Sequence, residues 1–285
     1  MSEVSNINNE VQSYTQLARL YELHQYDLFE IIPISIRGWF AANMAAALGS
    51  VLDKISKNIN TFKFDHIENS VEDILRRNNF LSYYGYPSVH DKKHTTIQYQ
   101  KLKPADGKFF NYYVTRELLA RTELPEMSPA LKEKMVEAIY EIFVNAQIHS
   151  ETEHIYTCGQ FYPNKNKIEF TIADTGIGFK ERINRRFNKN LNSIQAIRWA
   201  VRDRHTTKRN VSGGIGLALL RDFIHHNKGK LQIVSSNGFY QYDDFGEKAV
   251  IMEASFPGTV VNLQFCTNDP VSYLLAEEND LNNIF

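Results

Sequence analysis

Two glycine-rich turns constrain this chain more than any other feature: "DTGIGF" at Asp174–Phe179 and "SGGIGLALL" at Ser212–Leu220. Glycine lets a backbone turn sharply and approach a ligand without a side chain in the way. The first turn follows "IEFTIA", where Ile168, Phe170 and Ile172 alternate with polar or small neighbours as in a half-buried strand. Asp174, at the strand's end, is thus placed to accept a hydrogen bond from an amino group. The second turn opens a short helix that Gly229 ends. A glycine-rich loop at a helix start offers unpaired N–H groups and the positive end of the helix dipole, which suits a phosphate. It is neither a Walker loop, since no GK[ST] follows, nor GxGxxG. Taken singly, the first turn is equally well explained by plain chain reversal, and the second is better explained by it.

Upstream, "EAIYEIFVNAQIHS" (Glu137–Ser150) carries Glu141, Asn145 and His149 at four-residue intervals, which stacks them on one side of a helix. Met135, Val136, Ile139, Ile142, Phe143 and Ala146 form the other side. A solvated polar face is the ordinary explanation of such a pattern. Ser128 is placed as N-cap and Pro129 as first helical residue. A hairpin follows, "HIYTCGQFY" and "IEFTIA" around "PNKNK"; after the second glycine turn come strands "LQIVSS" and "VVNLQFCT". The order helix, strand, strand, glycine loop, helix, strand, strand predicts an α/β sandwich, one mixed sheet with helices on a single face.

The N-terminal part reads as β-α-β: an opening helix over Val11–Gln25, strand character in "DLFEIIPIS", a helix over Phe40–Asn58, then "TFKFDHI" alternating as a strand. From Glu72 to Arg121 the signals weaken to loop or edge strand. The expected class is α+β, with a smaller α/β domain over 1–120 and the two-layer α/β sandwich over 121–285. The chain has 285 residues, 43% hydrophobic, with net charge −1. Such a balance argues against nucleic-acid binding through a broad basic surface. Cys158 and Cys266 stand far apart without ligand spacing, which implies neither a disulfide framework nor a zinc site. The start lacks the pattern of a signal peptide, and the most apolar run, Trp39–Leu52, is too short to span a bilayer. The expectation is a cytoplasmic protein with no membrane contact.

The order of the pieces is more specific than any one of them. An Asn-bearing helix, a DxGxG 29 residues on, a polar insertion, then Gly214-x-Gly216-Leu217 resembles the GHKL ATP-binding (Bergerat) fold of gyrase, heat-shock chaperones, histidine kinases and MutL, over about Ser128–Thr267. "FPGTVVNLQF" resembles its closing strand, with Thr259 in the place of the threonine that joins the adenine network. The resemblance implies ATP and Mg2+ as cofactors: Asn145 as magnesium ligand, Asp174 reading the adenine amino group, Gly176 and Gly178 closing the adenine pocket, and Gly214, Gly216 and Leu217 lining the triphosphate. It makes Lys180–Ser212 an ATP lid, with Thr206, Thr207 and Lys208 as phosphate contacts. Glu141, four residues before Asn145, matches the carboxylate that hydrolases and anti-sigma-factor serine kinases of the superfamily use to activate the attacking group. "EIFVNAQIHS" looks most like the latter, whereas a histidine kinase would need a phosphoacceptor His-Glu upstream; His24 in "YELHQYD" lacks that context. Ser212 stands where the usual first glycine of the last box would be. The N-terminal β-α-β faintly resembles a STAS domain, the fold of anti-sigma-factor antagonists. The implied function is an ATP/Mg-binding regulatory serine/threonine kinase with a STAS-like or sigma-like protein partner, in a fold that often homodimerises. A nucleotide-dependent binding switch and a slow ATPase are the alternatives.

Overall fold

The computed structural model describes residues 2–149, 152–201, 215–275 and 277–278. Strands β1 (Ser2–Ile7), β2 (Ile31–Phe40) and β3 (Thr61–Ile67) form a parallel three-stranded sheet in that order, joined by helices α1 (Val11–His24) and α2 (Ala45–Ser56). Helix α3 (Asn69–Arg77) leads to β4 (Thr96–Leu102), then α4 (Gly107–Tyr113) and the long α5 (Pro129–His149). Strands β5 (Ile155–Tyr162) and β6 (Lys167–Asp174), helices α6 (Gly178–Phe187), α7 (Ser193–Val201) and α8 (Ile215–His226), and strands β7 (Lys230–Asp243) and β8 (Gly246–Cys266) complete the chain.

The second sheet runs β4-β5-β6-β8-β7 and is antiparallel throughout, not mixed. Residues of opposite parity along its strands enter different cores, as the two-residue period of a strand requires. Ile168, Phe170 and Ile172 of β6, with Val261 and Leu263 of β8, pack under α5. Ala173 and Val260, with Tyr156 and Cys158, pack under α1 and α2. The α/β sandwich is therefore present, and its other face is covered as well, by the helices of the parallel sheet. A buried polar network stitches the two together. Asn43 Nδ2 reaches Asn9 Oδ1 at 2.9 Å and Thr171 Oγ1 at 2.9 Å, and Asn262 Nδ2 donates to Gln232 Oε1 at 3.0 Å. Asn9, in turn, donates to the Glu169 carboxylate.

Ser128 caps α5 as expected: the Leu131 N–H donates to its Oγ at 3.1 Å. The segment expected to be a lid folds as α6 and α7 as far as Val201, and both pack against β7. Among the described residues no helix is long and apolar enough to cross a membrane. Both cysteines are free, and burial pushes the Cys158 thiol well up.

Candidate functional site

A cavity with about 500 Å³ of empty space, part of it open to solvent, lies between α5, the end of β6 and the stretch of β8 that pairs with it. Asn145 enters it from α5, Asp174 from the end of β6, Gly178 from the start of α6, Leu217 from α8 and Thr259 from β8. Five of the residues expected to bind the nucleotide, drawn from four sequence-distant segments, thus line one cavity. Ile142, Ile172 and Val261 give it apolar walls.

The turn after β6 is fixed from several directions. Asp174 Oδ1 accepts the Gly176 N–H at 2.7 Å, and Asp174 pairs in register with Thr259 of β8. The Thr175 N–H donates to Thr152 Oγ1 at 3.2 Å, and Lys54 Nζ, from α2, donates to Thr175 O at 2.8 Å. Burial pushes the Asp174 carboxyl up to about 6, against the opposing pull of the Gly176 and Thr259 N–H groups and of Arg182. Burial likewise lowers the Lys54 ammonium from its usual range. Gly178 begins α6 at φ +73°, a left-handed conformation, and a Cβ there would lie 2.7 Å from Ser235 Oγ. Ser235 accepts the Phe179 N–H at 2.9 Å and lies 3.3 Å from the Thr259 hydroxyl, so it braces two walls of the cavity.

Sequence reasoning missed Arg182 and Ser235. Arg182 lines the cavity, and among the described residues its buried Nε has no hydrogen-bond partner. Burial and then the neighbouring Arg186 lower the guanidinium to about 10. The available signal was its place four residues after Gly178, which puts both on one face of α6.

Glu141 and Gly216 meet elsewhere. The Gly216 N–H, at the start of α8, donates to Glu141 Oε2 at 3.0 Å, and both residues line a groove whose wall also carries Ala138, Val144 and Leu219. A Cβ on Gly216 would lie 2.5 Å from that oxygen and 3.0 Å from Ala138 Cα, so glycine is what lets α5 and α8 approach here. The carboxylate occupies a position an anion favours, at the positive end of the helix dipole. Thr206, Thr207, Lys208, Ser212 and Gly214 lie outside the described residues. Among the described residues no cluster of three or more His, Cys, Asp or Glu side chains is placed to hold a metal ion. A cation at this site would therefore depend on Asn145 and on ligand oxygens, an arrangement magnesium accepts.

No family model matches the chain, and no curated protein does. Among solved structures it is similar to a mycobacterial sensor histidine kinase, MprB, at 14% identity, with a TM-score of 0.28, over 58% of this chain and 97% of that one. A likeness of that size carries no argument about activity.

Proposed function

We propose that this chain is an ATP- and magnesium-binding regulatory protein of the anti-sigma serine/threonine kinase type. The observation that carries the reading is the single cavity that gathers Asn145, Asp174, Gly178, Leu217 and Thr259. The donor set suits an aminopurine. A carboxylate held at about 6 is ionised at neutral pH and accepts from an exocyclic amino group. The orphaned Arg182 Nε–H needs an acceptor, which a ring nitrogen supplies. Asn145 offers a hard amide oxygen to a cation. Gly176 and Gly178 leave room for the ring, while Thr207, Lys208 and the amides of Gly214 and Gly216 hold the phosphates. Bound MgATP supplies the transferable γ-phosphoryl group together with the cation that neutralises its charge. Glu141 takes the proton of the acceptor hydroxyl, once Gly216 has turned from the carboxylate to a phosphate oxygen. The acceptor is a serine or threonine on a regulatory protein partner, STAS-like or sigma-like.

The Glu141–Gly216 hydrogen bond favours a second reading. A carboxylate that caps α8 can serve as a latch which nucleotide releases, changing a protein-binding surface without phosphoryl transfer. Replacing Glu141 by Ala separates the two. Loss of phosphate transfer with nucleotide binding intact is the outcome expected of the kinase. A variant whose partner binding no longer depends on nucleotide, from a wild type that transfers nothing but binds its partner only with nucleotide, would establish the switch.

A further inference from the structure

A second cavity, with about 550 Å³ of empty space, lies against the sheet face opposite to the candidate nucleotide site. One wall comes from the segments that follow parallel strands β1 and β2, with Asn9 on one and Ala41 on the other. The crevice outside the carboxyl ends of parallel strands is where α/β units bind ligands. The opposite wall comes from one end of the antiparallel sheet: Lys165 in the β5–β6 turn, Lys167 opening β6 and Lys230 opening β7.

The floor is already organised. Glu169 is 2% exposed, and its carboxylate takes Asn9 Nδ2 and Lys167 Nζ. Gln232, also buried, donates to Asn9 O at 2.8 Å. These amides and their partners are held before anything binds, as a preformed site requires. The mouth is different. Trp39 is 50% exposed, unusual for the largest apolar side chain, and its ring lies 6.4 Å from that of Tyr162. Lys165 Nζ lies 5.1 Å from the indole centroid. Among the described residues neither Lys165 nor Lys230 has a carboxylate within ion-pair distance. Glu10, on the rim, offsets one positive charge and Glu169 another, so three lysines against two carboxylates leave a net charge of +1.

We propose that this cavity binds a small, singly charged organic anion bearing a flat ring, an aromatic or heteroaromatic carboxylate. Its carboxylate sits between Lys165 and Lys230, and its ring lies against Trp39 and Tyr162. The site lies between the parallel sheet and the face of the antiparallel sheet opposite to the nucleotide cavity, and does not depend on the nucleotide reading.

The test uses the full chain with Trp199→Phe, which leaves Trp39 as the sole indole of the protein's two. Its emission is followed during titration with benzoate. Benzamide serves as the neutral flat control, and cyclohexanecarboxylate as the charged control without an aromatic face. Benzoate should give a saturable change with an apparent Kd on the order of 1 mM, as befits a fragment of this size. Lys165→Ala with Lys230→Ala should weaken it at least about tenfold, with an unchanged melting temperature in buffer, and added salt should weaken it too. An Asp174→Asn variant should respond as the wild type does, which separates this site from the other. No saturable response, an equal response to either control, or an unaffected lysine double variant would each overturn the proposal.

Discussion

Asp174 is a carboxylate held where ionisation is costly, and that cost has a sign. Its folded value of about 6 lies above the ordinary 3.8. The favourable protonated state is therefore fully present below about pH 4 and is lost as pH rises through 6. The native protein gives up about 3 kcal/mol of stability by pH 8, by linkage. Asp174→Asn removes the ionisation and keeps an oxygen for the Gly176 N–H. The melting temperature of the variant should exceed that of wild type at pH 8, and the two should converge at pH 4; a constant difference across that range would show that the carboxyl is not held high. Asp174 was legible because a carboxylate at a strand end, two residues before the first glycine of a turn, has few plain uses. Arg182 was not. In "KERINRR" it looks like one more solvated cation, and only the fold reveals that its Nε faces inward.

At the scale of elements, the contact between α5 and α8 is set by Gly216. Gly216→Ala must push the helices apart or displace Ala138 and the Glu141 carboxylate, and should cost about 1–3 kcal/mol in denaturant unfolding. Glu141→Ala relieves one of the two close contacts, so the double variant should recover part of that loss; strict additivity would mean that the pair does not interact. The long helix and the β5–β6 hairpin were readable because their patterns are local: a capped apolar stripe for one, alternation around a polar turn for the other. Strand β1 was not, since "SEVSNI" is short and polar, and its parallel partner lies some thirty residues away. The β7–β8 pairing extends well beyond "LQIVSS" to Asp243 and Gly246, past register shifts at Ser235, Ser236 and Gly238. Pro257 falls within that irregular stretch, where a missing N–H is tolerated, and its presence hid the strand's continuity.

For the whole molecule, the informative feature is the covered second face of the antiparallel sheet. Composition and periodicity indicate that a sheet residue is buried, not which element buries it, so the docking of α1 and α2 onto Tyr156, Cys158 and Val260 was invisible in the sequence. The polar network around Asn43 should make the two sheets unfold together. Asn43→Leu leaves the oxygens of Asn9, Thr171 and Asn262 without their shared donor. It should lower stability by about 2–4 kcal/mol while thermal unfolding stays a single transition. Two separated transitions in the wild type would show that the halves are energetically independent.

The central claim is that the cavity around Asp174 holds an adenine nucleotide. It is tested most directly by titrating the purified chain with a fluorescent ATP analogue and magnesium at pH 7.5, beside Asp174→Asn. The account predicts saturable, magnesium-dependent binding that unlabelled ATP displaces, lost in the variant although the variant is the more stable protein, and weakened in wild type as pH falls below 6. Binding by the variant equal to that of wild type, or none by wild type, would contradict it.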